Sequence, residues 1–497
     1  MMVSSLMNSQ AQFSLLQSSY SLLPERFARP AKPTPVKHPA VVLWNSELAE
    51  SLGLAGGPAG WAPILAGNQL LPGLKPLATA YAGHQFGHFV PQLGDGRAIL
   101  LGELANPQGE RYEIQLKGAG RTPFSRSGDG RSSLGPVIRE YLASEAMHAL
   151  GIPSTRALAV TLTGEAVYRE GALPGAVFTR VARSHIRVGT FQYFAARGDV
   201  AGVKTLADHV ISHFFPALVE SDQPYRGLLL AVRDAQAELI ARWMQVGFIH
   251  GVINTDNMSI LGDTIDYGPC AFMDAYDPAT VYSAIDERGR YAYANQPAIA
   301  AWNLARLAEA MLDLIDTDAD RAISWAQQAV EGFMPVYQQA WLRGMKTKLG
   351  LAADRPEDRG LIEELLDSMH TGEADFTLTF RNLAAVAKGE PELAVTGLFK
   401  EPKSIEPWLH RWRQRLDQEE RPAAEIARDM QSVNPAFIFR NHRVEQAIDA
   451  AVETGDFSKA IELHGVLAKP FDDQPRYAAY LEPPKPGDWK CKTFCGT

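Results

Sequence analysis

Apolar and polar positions alternate through much of the first third of the chain and fall into helical spacing later. Residues 111–118 (RYEIQLKG) set Tyr112, Ile114 and Leu116 against Glu113, Gln115 and Lys117, the period of a half-buried strand. Residues 97–104 form a second apolar strand, and the turn signal at 106–109 makes the two a hairpin. Residues 136–150 carry an apolar stripe of Val137, Ile138, Tyr141, Leu142, Ala146, Met147 and Leu150. Pro136 suits the first turn of that helix, and Gly151-Ile152-Pro153 ends it. Strand-like runs follow at 157–163 and 176–181. From about residue 190 the spacing is helical, at 234–246, 297–314, 322–344, 362–369, 405–416 and 444–452.

The remaining stretches read as connections. Residues 1–40, Pro-rich near 30–39, are expected to be an irregular leading arm. Residues 45–52 are a short helix capped by Asn45 or Ser46, while 53–73 and 118–135 are Gly-rich loops. Strands early and helices late predict an α+β chain of two lobes. The expected divisions are a leading segment at 1–73, a strand-rich N-lobe at 74–189, an enlarged helical C-lobe at 190–467 and an irregular tail at 468–497.

Composition narrows the picture further. A chain of 497 residues, 46% hydrophobic and 21% charged, is ordinary for a soluble globular protein with a sizeable core. Its net charge of −9 argues against a broad nucleic-acid surface, and no apolar run is long enough for a membrane span. The N-terminus lacks a secretory pattern, and three cysteines make no disulfide framework, so a cytoplasmic chain is expected. Nothing in the sequence demands more than a monomer.

The chemistry concentrates in residues 250–268, HGVINTDNMSILGDTIDYG. Asn257 follows His250 by seven residues, and Asp266-Tyr267-Gly268 comes after a short apolar run. Protein kinases hold Mg²⁺ against a nucleotide with this pairing, written H-R-D-x-x-x-x-N and then D-F-G. The kinase catalytic Asp would fall at Val252, which cannot take a proton; the nearby carboxylate is Asp256. Upstream signals come in kinase order. Gly94-Asp95-Gly96-Arg97 offers a tight turn and a guanidinium for phosphate, although Ile99 stands where a kinase loop has its third glycine. Lys117 closes a strand, and Glu140 on the polar side of the next helix is its expected partner, with Glu145 a rival. Asp129-Gly130 and the pair Arg180 and Arg187, with Arg183 between, form a third set suited to a triphosphate. Each signal has a plainer reading as a turn glycine or a solvated surface charge. His84 and His88 have helical i, i+4 spacing, but Gly83 and Gly87 make packing histidines more natural than zinc ligands.

Three long motifs carry a resemblance: YAGHQFGHFVPQLGDGRA, LKGAGRTPFSRSGDGRSSLGPVIREYLASEAMHALGIPSTRAL and HGVINTDNMSILGDTIDYGPCAFMDAY. They resemble the selenoprotein O family, called YdiU in bacteria, over nearly the whole chain. The resemblance implies a kinase-like fold and a protein adenylyltransferase. Such an enzyme moves AMP from ATP to Ser, Thr or Tyr hydroxyls and releases pyrophosphate, with the nucleotide flipped relative to kinases. It also implies Mg²⁺ or Mn²⁺, and UTP as a further donor. Matching positions imply nucleotide contacts at Gly94, Gly96, Arg97, Lys117, Asp129, Gly130, Arg180, Arg187 and Asp266. They imply Glu140 as the lysine's partner, Asn257 and Asp266 as metal ligands, and Asp256 as proton acceptor. Cys495 stands where some members carry selenocysteine.

Two competing readings are a conventional kinase using Asp256 as base and an inactive pseudokinase scaffold. Val252 speaks against the first, and the intact Asn257 and Asp266 against the second. A disulfide from Cys270 to Cys491 or Cys495, closing the tail over the site, is a further expectation.

Overall fold

The computed structural model describes residues 15–485. Strands dominate up to residue 182: β1 (Leu15–Leu16), β2 (Ala28–Pro30), β3 (Ala40–Trp44), β4 (Leu77–Thr79), β5 (Gly83–Gln85), β6 (His88–Val90), β7 (Ala98–Ala105), β8 (Arg111–Lys117), β9 (Ser132–Ser133), β10 (Arg156–Tyr168) and β11 (Ala172–Ala182). The main sheet runs β2-β4-β7-β8-β11-β10-β3, with β1 paired to β7 and β9 to β11; β5 and β6 make a separate hairpin. The leading arm is therefore not irregular throughout. It supplies β1 and β2, and β3 begins at its end. Pro30 is tolerated because β2 is an edge strand, where a missing N–H breaks no ladder. The loop expected at 53–73 contains a helix, Pro58–Leu65, with Pro58 at its first position.

Strand β8 is covered on both faces, not half-buried. Ile114 and Leu116 join Ile99, Leu101, Leu158, Val177 and Val181 in one apolar layer. Ala176 and Phe178 of β11 point the other way, into the larger core. Glu113 and Gln115 are buried on that second face. The helix Leu134–Ala149 packs against β10 and β11 and is itself buried nearly all round, so Glu140 lies inside the protein and not on a polar surface. Register then sets the chemistry: Lys117 pairs across to Ala98 and Phe178, and Gln115 to Arg180.

Past residue 182 the described residues are mainly helical. The helix Pro224–Val246 stops at Gly247, whose φ of 71° is left-handed and whose amide bonds back to Trp243. A glycine takes that conformation without steric cost. The turn feeds β12 (Phe248–Ile249), which pairs antiparallel with β13 (Ala271–Phe272). Everything expected of residues 250–268 hangs between these two short strands. The single helix expected at 322–344 is two, Ala319–Glu331 and Phe333–Lys348. Pro335 sits in the first turn of the second, where a missing N–H breaks no helical bond. The described part of the tail includes the turn Pro475–Tyr480, and Arg440 ties the tail down by donating to the Leu481 carbonyl at 3.0 Å. Among the described residues no helix is long and apolar enough to cross a membrane.

Candidate active site

A cleft of about 870 Å³ is lined by the sheet, the Leu134–Ala149 helix and the loop between β12 and β13. Gly94, Gly96, Arg97, Lys117, Asp129, Gly130, Glu140, Arg180, Arg187, Asp256, Asn257 and Asp266 all line it. Residues separated by up to 172 positions in sequence are thus gathered at one place.

Asp266 is the hub. Its Oδ1 accepts from Lys117 at 3.1 Å and from Arg180 at 2.5 Å, and its Oδ2 accepts from Arg187 at 2.5 Å. Glu140 takes the other side, accepting from Lys117 at 2.7 Å and from Arg180. Burial alone would raise the Asp266 carboxyl, but Arg180, Arg187 and Lys117 hold it well below the usual range. Burial also works against ionisation of Glu140, and Lys117 and Arg180 overcome it. The backbone at Asp266 has a φ of 64°, a conformation that non-glycine residues adopt at some cost and that clusters at functional sites. Tyr267 anchors the turn, its ring buried against Phe248 and its hydroxyl hydrogen-bonded to Ser154.

The loop before Asp266 is fixed from beneath. The buried His250 ring stacks on Trp243, and its Nε2 donates to the Ile265 carbonyl at 2.9 Å. Burial lowers its pKa, so the imidazole is neutral and acts as a strut. Asn257 donates its amide N–H to the Val252 carbonyl at 2.9 Å, which turns its Oδ1 into the free acceptor of that side chain. An amide oxygen and a carboxylate form the hard-oxygen donor set that suits Mg²⁺ or Mn²⁺, with phosphates completing the shell. Asp256 is buried at the cleft wall. Burial pushes its carboxyl up to about 6, against the opposing influence of Gln85 and Arg187. Its backbone oxygen accepts from Arg187 at 2.7 Å.

The glycine turn is held by its own backbone. The N–H groups of Gly94, Asp95 and Gly96 already donate to Tyr81, Thr79 and Gly94 carbonyls. What Gly94 provides is space: a Cβ there would lie 2.4 Å from the Phe124 ring, which braces the neighbouring loop. Gly130 is similarly constrained, with a Cβ position 2.1 Å from the Gly120 carbonyl. Asp129 stands at the cleft rim, held by both guanidinium nitrogens of Arg169 at 2.8 and 3.1 Å, and those bonds lower its pKa.

The weaker candidates fall elsewhere. Arg183 pairs with Asp263 and Glu145 with Arg156, so neither joins the Asp266 cluster. His84 lies on the β5–β6 hairpin, with Nδ1 2.8 Å from Gln192, and packs on Phe89 and Trp302. Cys270 is fully buried, while Cys491 and Cys495 lie outside the described residues. Sequence reasoning missed Gln85, which donates to Asp256 Oδ2 at 3.0 Å, and Tyr81, whose ring lies 4.7 Å from the Arg187 guanidinium. No local spacing pointed to either, since the hydrogen bond from Gln85 spans 171 residues.

Comparison with known proteins gives the family. The family model described as protein adenylyltransferase SelO matches residues 13–468. The protein nucleotidyltransferase YdiU of Rhizobium meliloti (strain 1021) is 59% identical over 485 residues, 97% of this chain and 99% of that one. The YdiU of Rhizobium rhizogenes is 58% identical over 483 residues, 97% of this chain and 96% of its own. That of Bradyrhizobium sp. (strain BTAi1) is 57% identical over 484 residues, 97% of this chain and 99% of its own. With the model matched along nearly all its length and relatives this similar end to end, the chain belongs to the SelO family of protein adenylyltransferases.

Proposed function

We propose that this chain is a protein nucleotidylyltransferase that moves AMP from ATP, and UMP from UTP, to Ser, Thr or Tyr hydroxyls of other proteins. The observation that carries this reading is the Asp266 cluster: three cations converge on one carboxylate beside a cleft where Val252 occupies the kinase base position. Arg180 and Arg187 are placed to exchange Asp266 for the terminal phosphates, through charge-assisted bonds that a guanidinium makes well. That grip leaves the α-phosphate for the acceptor, the flipped arrangement. Asn257 and Asp266 would hold a divalent cation, Mg²⁺ or Mn²⁺, which would offset phosphate charge. Asp256 takes the proton of the acceptor hydroxyl as its oxygen bonds to the α-phosphorus. The bond from that phosphorus to the bridging oxygen breaks, and its electron pair leaves on pyrophosphate.

The protein acts as a cytoplasmic monomer on this reading, with the N-lobe, helical C-lobe and tail divided near residues 190 and 467. The test uses ATP labelled at the α- or the γ-phosphate, incubated with protein acceptors. Label transferred from the α position supports nucleotidylyl transfer; label from the γ position would establish a kinase, and none a scaffold.

A further inference from the structure

The β5–β6 hairpin comes from the strand-rich part of the chain yet grips three successive residues of the loop before Asp266. The His84 amide donates to Thr255 Oγ1 at 2.7 Å, and the Phe86 amide to Asn254 Oδ1 at 3.2 Å. Tyr291 closes the same junction, its hydroxyl bonded to Asn254 Oδ1 and accepting from the Phe86 amide at 3.1 Å. Between His84 and Phe86, Gln85 donates from Nε2 to Asp256 Oδ2 at 3.0 Å and lines the cleft.

The two oxygens of Asp256 stand in different settings. Oδ1 is buried and has no hydrogen-bond partner among the described residues. It lies against the hairpin backbone, so close that a Cβ on Gly83 would be 2.5 Å away. That oxygen is closed to an incoming hydroxyl. Oδ2 is the oxygen left to the cleft, and Gln85 is the side-chain donor that reaches it. An unpaired Oδ1 makes no bond that would resist rotation of the carboxylate, so the amide of Gln85 fixes its plane. Gln85 engages one lone pair of Oδ2 and leaves the other for a further donor.

We infer that Gln85 is a positioning residue for nucleotidyl transfer: it orients the Asp256 carboxylate toward the acceptor hydroxyl, with Gly83 supplying the space in which that carboxylate sits. The inference rests on the reading of Asp256 as proton acceptor. It assigns Gln85 a role in the chemical step and none in holding ATP, because its amide points at Asp256 and not at the Asp266 cluster. Orientation of a reacting group is worth large factors in rate, and small misplacements cost one to two orders of magnitude.

The experiment compares wild-type protein with Gln85→Leu, Gln85→Glu, Asp256→Asn and the double variant Gln85→Leu/Asp256→Asn. Glu keeps the shape of Gln but replaces its amide donor with a second carboxyl set against Asp256. Transfer of α-labelled AMP to a protein acceptor is followed under saturating and limiting ATP, ATP affinity by calorimetry, and folding by thermal melting. Both Gln85 variants should lose about 10- to 100-fold in kcat, with KM and Kd for ATP within about twofold of wild type. In the double variant, Gln85→Leu should have no further effect, because a residue acting only through Asp256 has nothing left to orient. A wild-type kcat in both Gln85 variants, a loss confined to ATP affinity, or a full additional loss in the double variant would overturn the inference. Full activity in Asp256→Asn would instead overturn the reading of Asp256, whatever Gln85→Leu does.

Discussion

Arg187 donates to the backbone carbonyl of Asp256 at 2.7 Å, and the same Nη1 reaches Asp266 Oδ2 at 2.5 Å. One guanidinium therefore sets the distance between the residue read as proton acceptor and the residue read as metal ligand. It is buried and backed by the Tyr81 ring, so its position is fixed from three sides. On the proposed reading, in which the cleft takes phosphates, a group held so firmly near a carboxylate has two ligands to choose between.

That choice gives a first prediction. Arg187→Ala should weaken ATP by about 100-fold, the cost of a lost charge-assisted bond to a terminal phosphate, and AMP by no more than about threefold. Calorimetry with both nucleotides reads the difference. An equal loss for ATP and AMP would reject the flipped arrangement, since it would place Arg187 near the α-phosphate.

Asp266 gives the second. Asp266→Asn should abolish transfer, because the cation that offsets phosphate charge loses its carboxylate. Metal-free ATP should bind the variant at least as well as it binds wild type. Lys117, Arg180 and Arg187 would no longer be engaged by that carboxylate, and a negative charge beside the phosphates would be gone. Titration in the presence of a chelator checks this; weaker metal-free ATP binding would mean the three cations are not released to phosphate.

The site was legible because its parts lie in motifs whose order is fixed by topology. Lys117 ends a strand, Glu140 sits on the next helix, and Asn257 and Asp266 flank a short turn, so motif order and the family resemblance together suggested which residues would meet, with Glu145 left as a rival to Glu140. Burial was harder to read. The alternation in residues 111–117 is that of a half-buried strand, yet Glu113 and Gln115 are buried on the face toward the larger core. Polar residues buried inside a protein look in sequence like solvated ones. Glu140 was misplaced to a polar face for the same reason, as its two cation partners come from other strands. The edge strands of the leading arm were invisible because β1 and β2 are two or three residues long, too short to show a period. Gln85 could not be read at all, since only tertiary packing brings it to Asp256.

Lys348 carries the last prediction, on stability. It is buried at the end of the Phe333–Lys348 helix, its Nζ 4.3 Å from the centre of the Phe380 ring and 5.7 Å from that of Phe376. Among the described residues no ion pair reaches it, so aromatic faces are the compensation its charge receives. Burial lowers its pKa from the ordinary 10.5 to about 7. The sign follows from which state holds the proton more tightly. The unfolded chain binds it up to pH 10.5, the folded chain only up to about 7, so ionisation of this lysine opposes folding. The penalty is complete below pH 7, shrinks as pH rises toward 10.5 and vanishes above it. Its full size is a few kcal/mol, roughly 5 from the gap between the two values. Lys348→Met nearly conserves volume and keeps the contact with both rings. The variant should therefore be more stable than wild type at pH 6 by a few kcal/mol. The difference should close steadily between pH 7 and 10.5, whatever other groups titrate in common. Paired urea melts at pH 6, 8 and 10 measure it, and parallel stability curves would show that the ammonium is not desolvated in the folded protein.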